Sequence, residues 1–443
     1  MQHLKSALIA AALAGCCLAT PAAAETATGY TVLDLRDGTV LAEKNGQRAF
    51  IPASVMKMPA ALAILDSLGP EHRFTTRLMA TGPLRDGGVL DGDLLLVGGG
   101  DPMLDTPALE GMAKALAAAG VTAVAGRFLY DDGALPGRAM IEDRQPPDAS
   151  YNPGLGGLSL DFNRFKVLWN EGKPAGAEIP LDPLPVALAA APALNEAWLP
   201  VREPGRFTAR VFQWLAARHG VTLPLPEQAA APPEARELVR HDGPPVADAL
   251  RRALVFSNNM ATETLALAAA AKALKRPATL EETGAWLTER TKAGTPGADW
   301  TAFAMPNGSG LTDQARMTPR QCAAIALRTA KGEVAGTATV DMLPPLSLQP
   351  FAAADQRAGA RAPLRAKTGT ISYARGLAGT LTTQAGREVA FCIMTDDQEQ
   401  RAVYDAVPFE QRTDDTIRLP AKQWLRAARE VEETTVTGWH QRL

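Results

Sequence analysis

Three short strings constrain how this chain can fold: Ser54-Val55-Met56-Lys57, Ser257-Asn258-Asn259 and Lys367-Thr368-Gly369-Thr370. Each is made of common residues. Their value lies in order and distance, because a single site using all three must join a segment near the start, a loop 203 positions later and a segment near the end. A serine hydroxyl is a poor nucleophile at neutral pH and needs an adjacent base. If Ser54 opens a helix, Lys57 lies one turn on along the same face. Ala60, Leu62, Ala63, Ile64 and Leu65 continue it as a buried helix to about Gly69-Pro70, with Pro59 removing one early hydrogen bond. Lysine acts as a base only when its ammonium form is disfavoured, by burial or by a second cation. Lys367 would be that second cation.

The histidines offer no competing base. His3, His72, His219, His241 and His440 show no H-E-x-x-H spacing, the chain has no G-x-S-x-G elbow, and His440 falls in a tail expected to fray. A Ser-Lys centre is the better supported arrangement, and His72, His219 and His241 read as surface or cap residues.

The length of 443 residues exceeds what one core usually supports, so two or more domains are expected. A net charge of −3 gives no reason to expect a nucleic-acid partner. Lys5, the apolar run from Ala7 to Leu18 and Ala22-Ala23-Ala24 read as a signal peptide over residues 1–24. Leu13-Ala14-Gly15-Cys16 is a rival lipobox that would anchor the chain through Cys16. Either implies export, with the periplasm the expected compartment and peripheral membrane or cell-wall association open. After cleavage Cys322 and Cys392 remain, and they read as two buried free thiols. Neither has metal-ligand spacing, and no cofactor is expected.

Alternation around Arg36-Asp37-Gly38 reads as a hairpin from Gly29 to Lys44. Three strands follow from Lys367: the motif itself, Gly376–Thr382 and Arg387–Thr395. A terminal helix is expected from about Pro420 to Glu432, with Pro420 in its first turn. The fold class is therefore α/β (α+β), an antiparallel sheet flanked by helices and assembled from both ends of the chain. The discontinuous catalytic domain would span 25–78 and 236–443, and 79–235 would be inserted. Within the insertion Gly98-Gly99-Gly100-Asp101-Pro102 lacks phosphate-loop spacing and reads as a turn. Leu158–Trp169 reads as extended, Arg206–His219 as a helix, and Pro224–Arg236 as the return connection.

The chain resembles the serine-type D-Ala-D-Ala carboxypeptidase/endopeptidases, the class C low-molecular-mass penicillin-binding proteins, whose penicillin-recognising transpeptidase-like fold it would share. The resemblance rests on the three motifs, Gly92-Asp93-Leu94, Gly100-Asp101-Pro102, Tyr130-Asp131-Asp132, Asn307-Gly308-Ser309-Gly310-Leu311 and the long insertion. It departs at Asn258 and Asn307, where the family commonly has Asp. It implies that Ser54 attacks the penultimate D-Ala carbonyl, Lys57 takes its proton, Ser257 relays a proton to the departing amine, and Asn259 holds Lys57 and the substrate amide. Lys367, Thr368, Gly369 and Thr370 would bind the terminal carboxylate side, with the N–H groups of Ser54 and Thr370 as oxyanion hole. Asp132 would contact a diaminopimelate amine, with a solvated turn residue as its bland alternative. Peptidoglycan stem peptides would be substrates and β-lactams covalent inhibitors. A serine β-lactamase and a catalytically silent cell-wall-binding or penicillin-sensing protein are the alternatives.

Overall fold

The stretch from Val389 to Asp396 has no polar face, so a strand built from it needs cover on both sides. A computed structural model of the protein shows that cover. It describes residues 26–170, 173–177, 179, 196–348 and 363–443, so the expected leader and most of the Pro- and Ala-rich stretch after residue 180 lie outside the described residues.

In chain order, β1 (Ala27–Asp34), β2 (Val40–Lys44) and a 3-10 turn (Ala53–Met56) lead into α1 (Lys57–Leu68) and β3 (Thr75–Ala80). The middle of the chain forms β4 (Leu94–Val97), α2 (Thr106–Ala118), β5 (Phe128–Asp131), β6 (Arg164–Asn170) and β7 (Lys173–Ala177). It continues with β8 (Glu196–Pro200), α3 (Pro204–Arg218), β9 (Pro226–Gln228) and β10 (Arg236–Asp242). Then come α4 (Val246–Val255), α5 (Asn259–Leu274), α6 (Leu280–Gly294) and α7 (Pro319–Lys331). The chain ends with β11 (Pro345–Leu346), β12 (Leu364–Ile371), β13 (Ala374–Thr382), β14 (Glu388–Asp396), α8 (Gln398–Ala406) and α9 (Asp415–Arg442).

Both ends of the chain meet in one six-stranded antiparallel sheet, in the order β11-β12-β13-β14-β1-β2. Strand periodicity divides β14 between two cores. Ala390, Cys392 and Met394 join the core that also contains α1, α5 and α7, whereas Val389, Phe391 and Ile393 face the end of α9. Cys322 and Cys392 are buried free thiols in the first of these cores. Burial, and then the neighbouring Cys322, push the Cys392 thiol up. On the other face the Trp439 ring lies 5.2 Å from Tyr30 and 5.7 Å from Phe391.

The C-terminal helix is longer than the sequence suggests. Asp414 caps it by accepting from the Thr416 N–H, so Pro420 falls inside the helix rather than in its first turn. Its far end does not fray. His440 bonds to the Thr382 carbonyl through Nδ1 at 2.9 Å, and its own carbonyl accepts from the Gln384 N–H. At the front of the chain, Pro59 lies in the first turn of α1, where a missing N–H costs least.

A second, five-stranded sheet runs β9-β5-β4-β3-β10, with α2 and α3 against it. Its members β3 and β10 pair with each other from Ala80↔Arg236 to Thr75↔Asp242, so the chain enters and leaves this unit through adjacent strands. The sheet therefore begins and ends outside 79–235. The stretch 224–236 is not only a connection, because β9 adds to β5 in parallel. Leu158–Trp169 is not continuously extended either. Asp161, Phe162 and Asn163 all have positive φ, and the buried Asn163 amide holds the bend through Gly154 O and Ser159 Oγ. The triple-glycine segment is a close-approach turn. A Cβ on Gly98 would sit 2.4 Å from the Gly157 carbonyl oxygen, and one on Gly99 would sit 2.3 Å from that of Thr75.

One ion pair ties α9 to the sheet beside the Lys367 segment. Arg375 on β13 meets Glu432 on α9 at 2.7 Å, with side chains 12% and 3% exposed, and donates to Thr370 Oγ1 at 2.9 Å. Burial pushes the Glu432 carboxyl up, and Arg375 opposes that shift. Arg375→Ala would leave a buried carboxyl unpaired, with an expected cost of about 3–5 kcal/mol. Denaturant unfolding should show it; a loss below about 1 kcal/mol would show that Glu432 is accommodated without its partner.

Candidate active site

The 3-10 turn carrying Ser54 is forced rather than relaxed. Ala53 has φ +47°, and the turn is gripped from two sides by glycines that leave no room for a side chain. A Cβ on Gly310 would lie 2.0 Å from the Ala53 carbonyl oxygen. A Cβ on Gly369 would lie 2.5 Å from the Pro52 carbonyl oxygen and 3.1 Å from the Ser54 nitrogen. Gly369 thus lets β12 run against the Ser54 turn. β11 pairs only with Leu364 and Arg365, so among the described strands none covers the edge of β12 from Lys367 to Ile371. An extended peptide can add to such an edge through main-chain hydrogen bonds.

Lys57 is fully buried, and its Nζ has three close neighbours. These are Ser54 Oγ at 2.8 Å, Asn259 Oδ1 at 2.6 Å and the Ser309 carbonyl oxygen at 2.8 Å. The Asn259 amide is oriented by its Nδ2, which donates to the Tyr151 carbonyl at 2.9 Å. Its oxygen is therefore the atom facing Lys57. A neutral amine has two hydrogens and one lone pair. Asn259 Oδ1 and Ser309 O can only accept, so they take the two hydrogens and the lone pair is left for the Ser54 O–H. Burial, and next the Lys367 charge, hold the Lys57 ammonium well below the ordinary lysine value, with Glu263 opposing. A shift in this direction favours the neutral amine that a general base requires.

Lys367 is also buried, and burial pushes it down to about 7. Its Nζ donates to the Thr368 carbonyl at 2.7 Å. Ser257 adopts φ +51° between α4 and α5 and lines the same cavity as Ser54, Asn259 and Thr370, a cleft of about 390 Å³. Asn258 caps α5 by accepting from the Ala261 N–H. Asn307 accepts from the Gly310 N–H in the same manner. Both are acceptor roles that an Asp fills equally well, so neither departure disturbs the local fold.

The three strings are thus brought together. Asp132 is not among the residues lining this cavity. Its carboxylate accepts from Gln228 Nε2 at 2.7 Å and lies under Gly205 at the start of α3. Sequence reasoning missed Glu263, which is fully buried and accepts from the Gly308 and Ser309 N–H groups at 3.1 and 2.6 Å. It fixes the loop whose Ser309 carbonyl holds Lys57. Burial pushes its carboxyl up against those hydrogen bonds. The one available signal was its place four residues after Asn259 on the same helix face. The cavity wall from Tyr151, Arg401, Tyr404 and Arg412 had no sequence signal. Among the described residues no group of three or more His, Cys, Asp or Glu side chains could hold a metal ion, and no helix is long and apolar enough to cross a membrane.

The profile of the D-Ala-D-Ala carboxypeptidase 3 (S13) family matches residues 9–191 and 183–409. A D-alanyl-D-alanine carboxypeptidase from Actinomadura sp. (strain R39) is 38% identical over 135 residues, which are 30% of this chain and 25% of that enzyme. The D-alanyl-D-alanine carboxypeptidase DacB of Haemophilus influenzae is 22% identical over 82% of this chain and 84% of its own length. In three dimensions the chain is similar to penicillin binding protein 4 (dacB) from Haemophilus influenzae, with TM-score 0.70 and 21% identity, covering 84% of this chain and 90% of that one.

Gly369→Ala should push β12 off the Ser54 turn. The expected result is a fall in serine acylation of about 10²-fold or more, as for loss of one oxyanion donor. Stopped-flow acylation would measure it, and a variant within twofold of the parent would show that the contact relaxes harmlessly.

Proposed function

The chain belongs to the D-Ala-D-Ala carboxypeptidase 3 (S13) family, and we propose that it hydrolyses DD-peptide bonds of peptidoglycan stem peptides as a serine DD-peptidase. The observation that carries this reading is the buried Lys57 Nζ, 2.8 Å from Ser54 Oγ and held by Asn259 Oδ1 and the Ser309 carbonyl oxygen. Ser54 Oγ attacks the penultimate D-Ala carbonyl as its proton passes to Lys57 Nζ. The Oγ–C bond forms and the oxygen of the tetrahedral intermediate lies against the N–H groups of Ser54 and Thr370. Ser257 relays the proton to the departing amine as the C–N bond breaks, and water then hydrolyses the acyl-serine. Lys367 and Thr368 hold the carboxylate of the leaving residue, or that of a β-lactam. Gly369 gives the strand its close approach. We place the mature enzyme in the periplasm after removal of residues 1–24, on the strength of Lys5, the apolar run and Ala22–Ala24.

Intact-protein mass spectrometry after brief exposure to benzylpenicillin tests the reading. One stable adduct on the parent and none on Ser54→Ala is the expected result. An intact antibiotic without adduct would favour a silent binding protein, and its rapid destruction without adduct would favour a β-lactamase.

The two lysines also set a pH profile. Lys57 must be neutral, so activity is lost as pH falls through its lowered value. Lys367 must be protonated to attract a carboxylate, and its charge is lost as pH rises through about 7. In kcat/KM an alkaline limb should therefore start near that value and approach roughly tenfold per pH unit. It should move upward or vanish in kcat, where bound carboxylate stabilises the ammonium. An alkaline limb that is the same in both parameters would remove Lys367 from carboxylate binding.

A further inference from the structure

A second cleft, of about 340 Å³, lies in the middle of the chain, and none of its described lining residues lines the Ser54 cavity. Phe165 and Phe207 form its floor, both buried, with ring centres 5.5 Å apart in an edge-to-face pair. Its rim comes from β6 and β8, which pair antiparallel so that Trp198 lies opposite Lys166 and Pro200 opposite Arg164. The Trp198 side of this rim is open, the residue being 45% exposed. One group in the lining is poorly served by the protein. The Arg164 guanidinium carbon lies 5.6 Å from the Phe162 ring centre and 5.4 Å from that of Trp198. A ring attracts the charge but offers no lone pair to the N–H groups in the guanidinium plane. Arg164 Nε is buried, and among the described residues it has no hydrogen-bond partner. Arginine cannot escape by losing its proton, so the desolvated donor stays costly until an acceptor arrives. Asp161, the one carboxylate among the described lining residues, is engaged elsewhere. It accepts from the Thr106 N–H at 3.1 Å and the Thr106 hydroxyl at 2.5 Å. Lys166 adds a second cation to the lining.

Strained backbone holds this arrangement. Asp161, Phe162 and Asn163 have φ of +47°, +59° and +53°. Consecutive left-handed residues other than glycine persist only where their surroundings over-determine them. The buried Asn163 amide does so here, accepting from the Leu160 N–H and donating to Gly154 O and Ser159 Oγ. The turn sets Phe162 against Arg164 and Asp161 against the first turn of α2.

A ligand that completes this cleft needs an anionic oxygen for Arg164 and a C–H face for the exposed indole. A sugar ring bearing a carboxylate has both, because its polarised C–H groups lie against the negative face of an aromatic ring. The volume is near the lower end of ligand clefts, which suits a single ring. We infer that this cleft binds an acidic sugar ring, with Arg164 taking the carboxylate and Trp198 the ring face. The inference goes beyond the acyl-serine reading and uses none of its residues.

Three probes test this by saturation-transfer NMR titration of the whole protein: N-acetylmuramic acid, its carboxamide, and D-lactate. The first two differ only in charge, and the third carries the acid without the ring. The parent should bind the acid about tenfold more tightly than the carboxamide, the ordinary scale of a charged hydrogen bond. D-Lactate should bind more weakly than either sugar. Arg164→Gln should bring the acid-to-amide ratio toward one, and Trp198→Ala should weaken both sugars while keeping the ratio. Acylation of Arg164→Gln by benzylpenicillin at the parent's rate would show that the variant folds and that the two sites are separate. The three-probe comparison in the parent stands even if a variant fails to fold. Equal affinity for acid and carboxamide would overturn the inference, as would D-lactate binding as tightly as the sugar acid. A tenfold preference surviving in a folded Arg164→Gln would overturn it too. None of these outcomes touches the acyl-serine reading, which fails instead if benzylpenicillin leaves no adduct on the parent.

Discussion

Everything at the centre of this molecule follows from one buried amine. A lysine nitrogen without access to water must find hydrogen-bond partners from the protein, and here they come from three remote parts of the chain. Ser54 is its neighbour in sequence, Asn259 opens α5, and Ser309 lies in a loop beyond α6. Because two of those partners can only accept, the same contacts that make burial tolerable also aim the lone pair. Stability and reactivity are set by one geometry.

That geometry is held at a second remove. Glu263 pins the loop of Ser309, and the Tyr151 carbonyl orients the Asn259 amide. Tyr151 belongs to the middle of the chain, between β5 and β6. The middle of the chain thus reaches the site by a main-chain oxygen, while a separate apolar core is built around α2, α3 and the five-stranded sheet.

What was legible in the sequence was what local chemistry determines. Ser54 with Lys57, the hairpin at Arg36-Asp37-Gly38 and the strands following Lys367 depend on neighbours within a turn or a strand, and such neighbours can be read from spacing. Illegible features depended on distant contacts. Pro420 suggested a helix start because Pro suits a first turn, but Asp414 caps the helix earlier and tertiary contacts hold the interior proline. His440 appeared to belong to a loose tail because nothing local holds it; the Thr382 carbonyl does, and Trp439 beside it packs on Tyr30 and Phe391. Asp132 was placed at the site by resemblance alone; its carboxylate accepts from Gln228 and it is not among the residues lining the Ser54 cavity. Glu263 went unnoticed because a glutamate within an alanine-rich helix is ordinary until burial makes it otherwise.

The pairing of β1 with β14 has a consequence for the life of the chain before it is an enzyme. The first strand of the sheet pairs on one side with β2, but its other neighbour, β14, is synthesised near the end, and the Ser54 turn rests on Gly369, which also arrives late. Long-range pairing of this kind is slow. The five-stranded unit closes on itself between Thr75 and Asp242, so it can form while the rest is still arriving. Acylating power is therefore absent from the emerging polypeptide and switches on only when its last strands dock, a delay timed by the topology itself.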